Sequence, residues 1–382
     1  MAVIIKEVQG RRTLRRFIHL PAEIHAGHSA WVPPIYVDER NYFNPKKNKA
    51  FSYCDTLLLL AHRDGKVVGR IMGIINNRHN SYRQEKTARF GYLEAREDSE
   101  VIGALMQHVE EWARAKGMEL IVGPYGFTDQ DPEGFMIEGF DSPSTITCYY
   151  NFDWMPAMME SFGYNKDIDY VVYQLEVPKE FPEFFTKIYE RAQRKGDFEV
   201  FEFKKKKEFK QYIKPVLHLM NECYSDSDIY GYTPLEEKEM DELAARYLPL
   251  LDPRFVKGVK RGDEVVAFII GMPNLVEGIQ KSKGRLLPFG IFKILRASKK
   301  TKQLDFLLGA IKEPYRGLGL DVLMGMKMFM SAQKAGMQVI DTHHEMETNL
   351  RVRGGMERMG GEIYKRFRIY KKDLSPAGTA QA

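Results

Sequence analysis

Cysteine is scarce in this chain: Cys54, Cys148 and Cys223 are the only three, widely spaced and without a Cys-x-x-Cys pair. That excludes a disulfide framework, offers no zinc-finger spacing, and suits a reducing compartment. Long apolar runs are absent too. No stretch approaches the ~20 apolar residues a membrane-spanning helix needs. The N-terminus shows no apolar core followed by a small-residue cleavage site, so a secretory signal is not expected and a cytoplasmic location is. Charge of one sign is in only slight excess, 57 Lys and Arg against 52 Asp and Glu. The cations do gather, at Arg11-Arg12 with Arg15-Arg16, at 204–207, and at Lys299-Lys300 with Lys302. No nucleic-acid motif accompanies these runs, so solvated faces are expected and nucleic acid is not.

What is present fits a globular enzyme. A chain of 382 residues is too long for one ordinary core and comfortable for two domains. One stretch carries chemistry directly: Glu313-Pro314-Tyr315-Arg316-Gly317-Leu318-Gly319-Leu320, placed between an apolar run at 304–311 and an apolar helix at 322–334. Glycines let successive backbone N–H groups converge on an anion, and the following helix adds its positive N-terminal end. Arg316 supplies a charge. Upstream, 255–260 and 265–272 read as strands joined by a polar turn at Arg261-Gly262-Asp263-Glu264. Downstream, Gly336 stops the helix, 337–342 reads as a strand, a helix runs over 349–359, and a last strand lies at 364–370.

The same order occurs once before. Asp64-Gly65-Lys66-Val67-Val68 matches Asp263-Glu264-Val265-Val266, Lys116-Gly117-Met118 echoes Ala335-Gly336-Met337, and Glu160 to Gly163 echoes Glu357 to Gly360. Three successive agreements predict a tandem repeat. Where the second half has its glycine loop, however, the first has Arg96-Glu97-Asp98-Ser99-Glu100, whose three carboxylates would repel a pyrophosphate. One anion site per chain is the expectation.

The order strand, Arg-Gly-x-Gly, helix resembles the pyrophosphate-binding motif of the Gcn5-related N-acetyltransferase (GNAT) superfamily, which grips acyl-coenzyme A there. The resemblance implies an α/β (α+β) chain of two tandem GNAT-like domains, each a mixed, mostly antiparallel central sheet flanked by helices. The boundaries would be 1–179 without a coenzyme site, 180–374 with one, and a disordered tail at 375–382. It implies acetyl-coenzyme A or a longer acyl-coenzyme A as co-substrate, held by Ala310, Ile311, Arg316, Gly317, Leu318, Gly319, Leu320 and Asn349, with no metal. Gly123-Pro124, the Glu138-Gly139-Phe140-Asp141 box, Tyr150-Asn151 and the Arg285-Leu286-Leu287-Pro288-Phe289 insertion narrow it to a bacterial group of tandem GNAT N-acyltransferases. Some of these relatives are tied to sphingolipid synthesis, which makes a small-molecule or lipid amine the implied acceptor. Two positions depart from the superfamily pattern. Asp321 fills the last slot of the loop, where Gly or Ala is usual. Met356 stands where many members have a proton-donating tyrosine, and Tyr364 starts the last strand instead.

Acyl transfer from a thioester needs a neutral amine, a base and donors that polarise the carbonyl. The segment from Asp341 to Asn349 is dense in candidates. Strand alternation predicts Asp341, His343 and Glu345 on one face, with Glu347 at the strand end. Glu347 is the expected base or amine-positioning group, with Asp341 and His343 behind it. Adjacent histidines at 343 and 344 would face opposite ways, which argues against a shared metal. Glu138 and Asp141 could meet a cationic amine, with Tyr150 and Asn151 as lining or core.

Two insertions stand out. The aromatic-rich 123–151 is too long for an ordinary connection and is expected to be ordered. In 284–302 an apolar run precedes a cluster of cations. That pattern suits a helix at the inner membrane face, a lid over an acyl chain, or a helix packed on the core with a basic end. Two other functions fit the scaffold: an aminoacyl-tRNA-dependent transferase, disfavoured by the intact glycine loop, and a non-catalytic acyl-coenzyme A scaffold, favoured by Asp321 and Met356.

Overall fold

The computed structural model describes residues 2–146, 148–194, 197–225 and 229–375. Apart from Ser375, the expected disordered tail lies outside these residues. The chain divides into two compact units: Met1–Val171 with Val276–Leu295 and Lys365–Ala382, and Val172–Leu275 with Arg296–Tyr364.

In unit 1, strands Ile4–Glu7 (β1), Cys54–Arg63 (β2), Lys66–Asn76 (β3), Thr87–Ala95 (β4) and Leu120–Gly123 (β5) lie side by side in chain order. Asp64 and Gly65, at φ 53° and 74°, turn the β2–β3 hairpin so that Arg63 pairs with Lys66. Alternation then sorts the side chains. Leu59, Ala61, Ile71 and Ile75 pack under the helix Ser99–Ala115, whereas Leu60, Met72 and Ile74 pack under the helix Gly10–Ile24. A Cβ at Gly73 would stand 3.0 Å from Val109 Cγ1, so glycine there lets the helix approach closely. The 123–151 insertion is ordered apart from Thr147, which is not described. It buries Tyr125, Phe127, Phe135 and Met136 and forms the short strand Phe135–Glu138 (β6).

The strand Asn165–Glu176 (β7) leads into unit 2, where Glu199–Glu202 (β8), Val256–Arg261 (β9), Glu264–Pro273 (β10), Gln303–Ile311 (β11) and Val339–Asp341 (β12) form the sheet, followed by Glu345–Met346 (β13). The β9–β10 turn closes at Arg261 and Glu264 around Gly262. Phe201, Leu217, Met220 and Phe268 fill one face of the sheet. Val259, Val266, Leu320 and Leu323 fill the other.

The internal repeat is visible in the pairing. β4 and β5 run parallel for three residue pairs, from Thr87↔Leu120 to Arg89↔Val122, and β11 and β12 do the same from Gln303↔Val339 to Asp305↔Asp341. In both units the longer strand, β4 or β11, then runs on while its parallel partner ends. The units are nevertheless not the contiguous halves 1–179 and 180–374. The last strand, Glu362–Asp373 (β14), pairs with β5 through Tyr370↔Gly123 to Asp373↔Leu120 and so belongs to the sheet of unit 1. β7, expected to end the first domain, instead pairs with β12 through Val339↔Glu176 to Asp341↔Gln174 in unit 2. Backbone hydrogen bonds carry no side-chain identity, so alternation along either strand marks its faces and not its neighbour. Among the described residues no helix is long and apolar enough to cross a membrane.

Candidate functional site

The glycine loop of unit 2 is built where β11 ends. Lys312 donates its backbone N–H to Val266 O at 2.9 Å, and its ammonium is held by Glu264 (2.7 Å) and Glu222 (3.0 Å). These contacts fix the chain before a 3₁₀ turn at Glu313–Tyr315. Arg316 Nε then donates to Ile311 O at 3.0 Å, tying the loop back to the strand end beside Ala310. Gly317 and Gly319 have φ of 80° and 86°, a left-handed region costly for any side chain. Gly319 is the N-cap of the helix Leu320–Lys334, and no side chain closes that end. Leu320 is fully buried and anchors the helix, while Gly317 and Leu318 face solvent. A Cβ at Gly317 would lie 3.7 Å from Arg351 Nη2, which places a second guanidinium beside the loop. A Cβ at Gly319 would press within 3.3 Å of Ile188 Cγ2.

An uncapped helix start, two left-handed glycines and two guanidiniums together make a fitting cradle for a pyrophosphate. Asp321 is exposed in the first helical turn and makes no capping bond. Asn349 caps the helix Leu350–Arg358, its Oδ1 accepting from Val352 N at 3.4 Å.

The polar segment after β12 departs from simple alternation. β12 ends at Asp341, and His343 takes φ 58°. A left-handed residue reverses the pleat, so the common face expected for Asp341, His343 and Glu345 is not maintained. Asp341 is fully buried and accepts hydrogen bonds from Tyr364 Oη and from His343 N at 2.8 Å. It therefore holds the turn, and it meets Tyr364, the tyrosine at the start of the last strand. Tyr173 exchanges bonds with Thr342, donating its N–H to Thr342 Oγ1 at 2.9 Å and accepting from Thr342 N at 3.0 Å. Its hydroxyl donates to Glu357 at 2.6 Å and accepts from Arg353 Nε at 3.0 Å. Arg353 Nη1 in turn donates to Glu347 O at 2.6 Å, so the backbone of Glu347 is fixed while its side chain is half-buried. Among the carboxylates of this segment Glu345 is chemically distinct. Burial pushes its carboxyl up to about 8, and no cation offsets the shift. Its place in the candidate segment was legible from sequence, but its desolvation was not.

The first-repeat candidates sit in unit 1. Glu138 is engaged by Arg366 Nε at 2.9 Å, and Asp141 is exposed. Asn151 is buried and tied to the backbone, accepting from Met136 N at 2.7 Å and donating to Met136 O and Phe152 O. Tyr150 donates to Phe140 O at 2.7 Å and meets the His28 ring edge-on. These contacts make Tyr150 and Asn151 supports for the insertion. Sequence reasoning missed the buried pair beside them, His25 Nε2 with Glu94 at 2.9 Å. Among the described residues no cluster of three metal-ligating side chains occurs.

The fold is that of tandem GNAT proteins. A tandem GNAT protein from the clavulanic acid biosynthesis pathway superposes with a TM-score of 0.56 at 12% identity, covering 98% of this chain and 99% of that one. A GCN5-related N-acetyltransferase from Sphaerobacter thermophilus follows at 0.52 and 11%, covering 98% and 96%. In sequence the chain is 27% identical over 368 residues to a protein named bacterial ceramide synthase from Caulobacter vibrioides, covering 94% of this chain and 95% of that one. It is 24% identical over 380 residues to Protein YghO of Escherichia coli, covering 97% and 95%. No family model matches.

Proposed function

We propose that this chain is an acyl-coenzyme A-dependent N-acyltransferase whose acceptor is a long-chain amine. The observation that carries the reading is the glycine-capped helix start at Gly319, which no side chain caps, preceded by Arg316 and by Gly317 with Arg351 beside it. Phosphates bind such a site through backbone N–H groups and the helix dipole. Ala310 and Ile311 end the adjoining strand, where backbone groups can align the pantetheine arm. A ceramide is a long-chain amine bearing an N-acyl chain, so the name of the Caulobacter relative supports both the amine and the long chain.

In the proposed reaction the neutral amine nitrogen attacks the thioester carbonyl carbon. The N–C bond forms, the C–S bond breaks, the amine proton passes to a carboxylate, and the thiolate leaves to take up a proton. Glu345 replaces Glu347 as the preferred base, because desolvation raises its carboxyl to about 8, which makes it a stronger proton acceptor once ionised. Tyr364, hydrogen-bonded to Asp341, is the hydroxyl we assign to stand in for the donor absent at Met356.

Calorimetric titration with coenzyme A, acetyl-coenzyme A and palmitoyl-coenzyme A tests the reading. Binding of at least one, weakened in Arg316→Glu, is the expected result. A chain that binds none of the three is not an acyl-coenzyme A enzyme.

A further inference from the structure

Nine large hydrophobic side chains are exposed among the described residues, and four of them fall within nine positions: Leu287 (81%), Phe289 (69%), Phe292 (66%) and Leu295 (47%). Single exposed apolar residues are ordinary, but a contiguous group marks a contact surface. This group is held out rather than left loose. Tyr36 N donates to Gly284 O at 3.0 Å, and Gln280 Nε2 donates to Ser29 O and Trp31 O. Ile291 N then closes on Leu286 O at 2.9 Å, bending the chain into the helix Gly290–Lys300. That helix turns Ile294 and Ala297 inward while Phe292 and Leu295 face out.

The charge along the insertion itself is of one sign, with Glu277, ion-paired to Lys281, just before it. From 278 to 304 the chain carries eight Lys and Arg and no carboxylate. More cations converge at the base of the insertion, where Arg15, Arg285 and Arg40 act on His19, whose pKa is lowered first by burial and then by these three, against a smaller opposing effect of Glu23.

We propose that the tip at 287–295 docks on an anionic phospholipid surface, with the aromatic and leucine side chains entering the acyl boundary and the flanking cations meeting lipid phosphates. Apolar side chains ringed by Lys and Arg are the composition of an interfacial helix. The other candidate occupant, a second copy of this chain, would bring two predominantly cationic faces together, which repel. The surface is independent of the coenzyme reading. It concerns where the protein resides and not what it transfers.

Vesicle flotation of the full chain tests it, using phosphatidylcholine vesicles with and without phosphatidylglycerol. The expected result is flotation with the anionic vesicles only, weakening as salt rises. The Leu287→Ser, Phe289→Ser, Phe292→Ser variant should lose partitioning on the order of tenfold or more, and Lys299→Glu with Lys300→Glu should lose it as well. Because these positions are exposed, melting temperature and coenzyme titration should be unchanged in both variants. Failure of the wild type to float overturns the proposal, as does equal flotation of the serine variant. Concentration-dependent dimers abolished by the serine variant, without flotation, would assign the face to self-association instead.

Discussion

The two repeats share strands, hairpin turns and a parallel pair of the same length, yet their corresponding helices begin in opposite ways. In unit 1 the helix Ser99–Ala115 is capped by Asp98, whose Oδ1 accepts from Val101 N at 3.2 Å, and Glu100 adds a carboxylate to the first turn. Arg63 is drawn to both acids, so the local cation is already engaged. In unit 2 the equivalent cap is Gly319, which has no side chain to close the helix, and the Arg351 guanidinium stands beside Gly317 in the preceding loop. A carboxylate at the helix start meets the same dipole and N–H groups that an incoming phosphate would use. On the proposed reading, the capacity for an anionic ligand would rest on a few residues at one helix end, while the rest of the repeat preserves the fold.

The largest effect expected in unit 2 is on chemistry. Glu345→Gln should lower kcat by about 10² to 10⁴-fold with coenzyme binding retained, the usual range for removing a general base. Because the base must be unprotonated, wild-type activity should rise with pH through about 8. The same group links stability to pH. The folded carboxyl keeps its proton up to about 8, well above the ordinary value of 4.5, so the folded state binds the extra proton between these limits. Stability from this site is full below about 4.5 and is lost as pH rises through about 8. Glu345→Gln should accordingly melt higher than wild type at the alkaline end, with the difference shrinking toward pH 5. A flat pH profile with normal turnover in Glu345→Gln would return the role to Glu347. At the loop itself, Arg316→Glu should weaken coenzyme A binding on the order of 10 to 100-fold, read by calorimetry, since a charge-assisted contact contributes about 1.5–3 kcal/mol.

In unit 1 the expected effects fall on stability. Asn151→Ala removes a side chain that satisfies buried backbone groups at Met136 and Phe152, and should cost about 1–3 kcal/mol in denaturant unfolding without changing coenzyme affinity. A loss of acceptor binding at unchanged stability would assign it to the substrate lining instead.

These contrasts also mark what the sequence discloses. The hairpins at Asp64-Gly65 and Gly262-Asp263 and the loop at Arg316 to Gly319 were legible because left-handed backbone demands glycine or a short polar residue, and such residues are visible in a sequence. The exchange of β7 and β14 between the units was not, because hydrogen-bonded pairing along a strand carries no side-chain code. At His343 a left-handed residue without a glycine signal broke the expected alternation. Asn151, Tyr150 and Glu138 were recognised as unusual polar residues, but their partners depend on how the insertion folds back on itself and, for Glu138, on Arg366 far away in sequence. Glu345 shows the same limit for acidity, which reflects burial by residues that the local segment does not name.

The smallest effect bears most directly on the comparison of the two helix ends. Asp98→Ala removes the cap of Ser99–Ala115 and should destabilise the chain by about 1 kcal/mol, measurable as a shift in the unfolding midpoint. It should not create a second coenzyme site. Glu100 remains in the first turn, Arg63 retains Glu100 as its partner, and no glycine pair is present to bring successive backbone N–H groups onto a phosphate. Calorimetric stoichiometry should therefore stay at one coenzyme per chain. If Asp98→Ala alone raised it to two, a single capping carboxylate would be what separates the repeats, and the glycines of the second loop would be dispensable for anion binding.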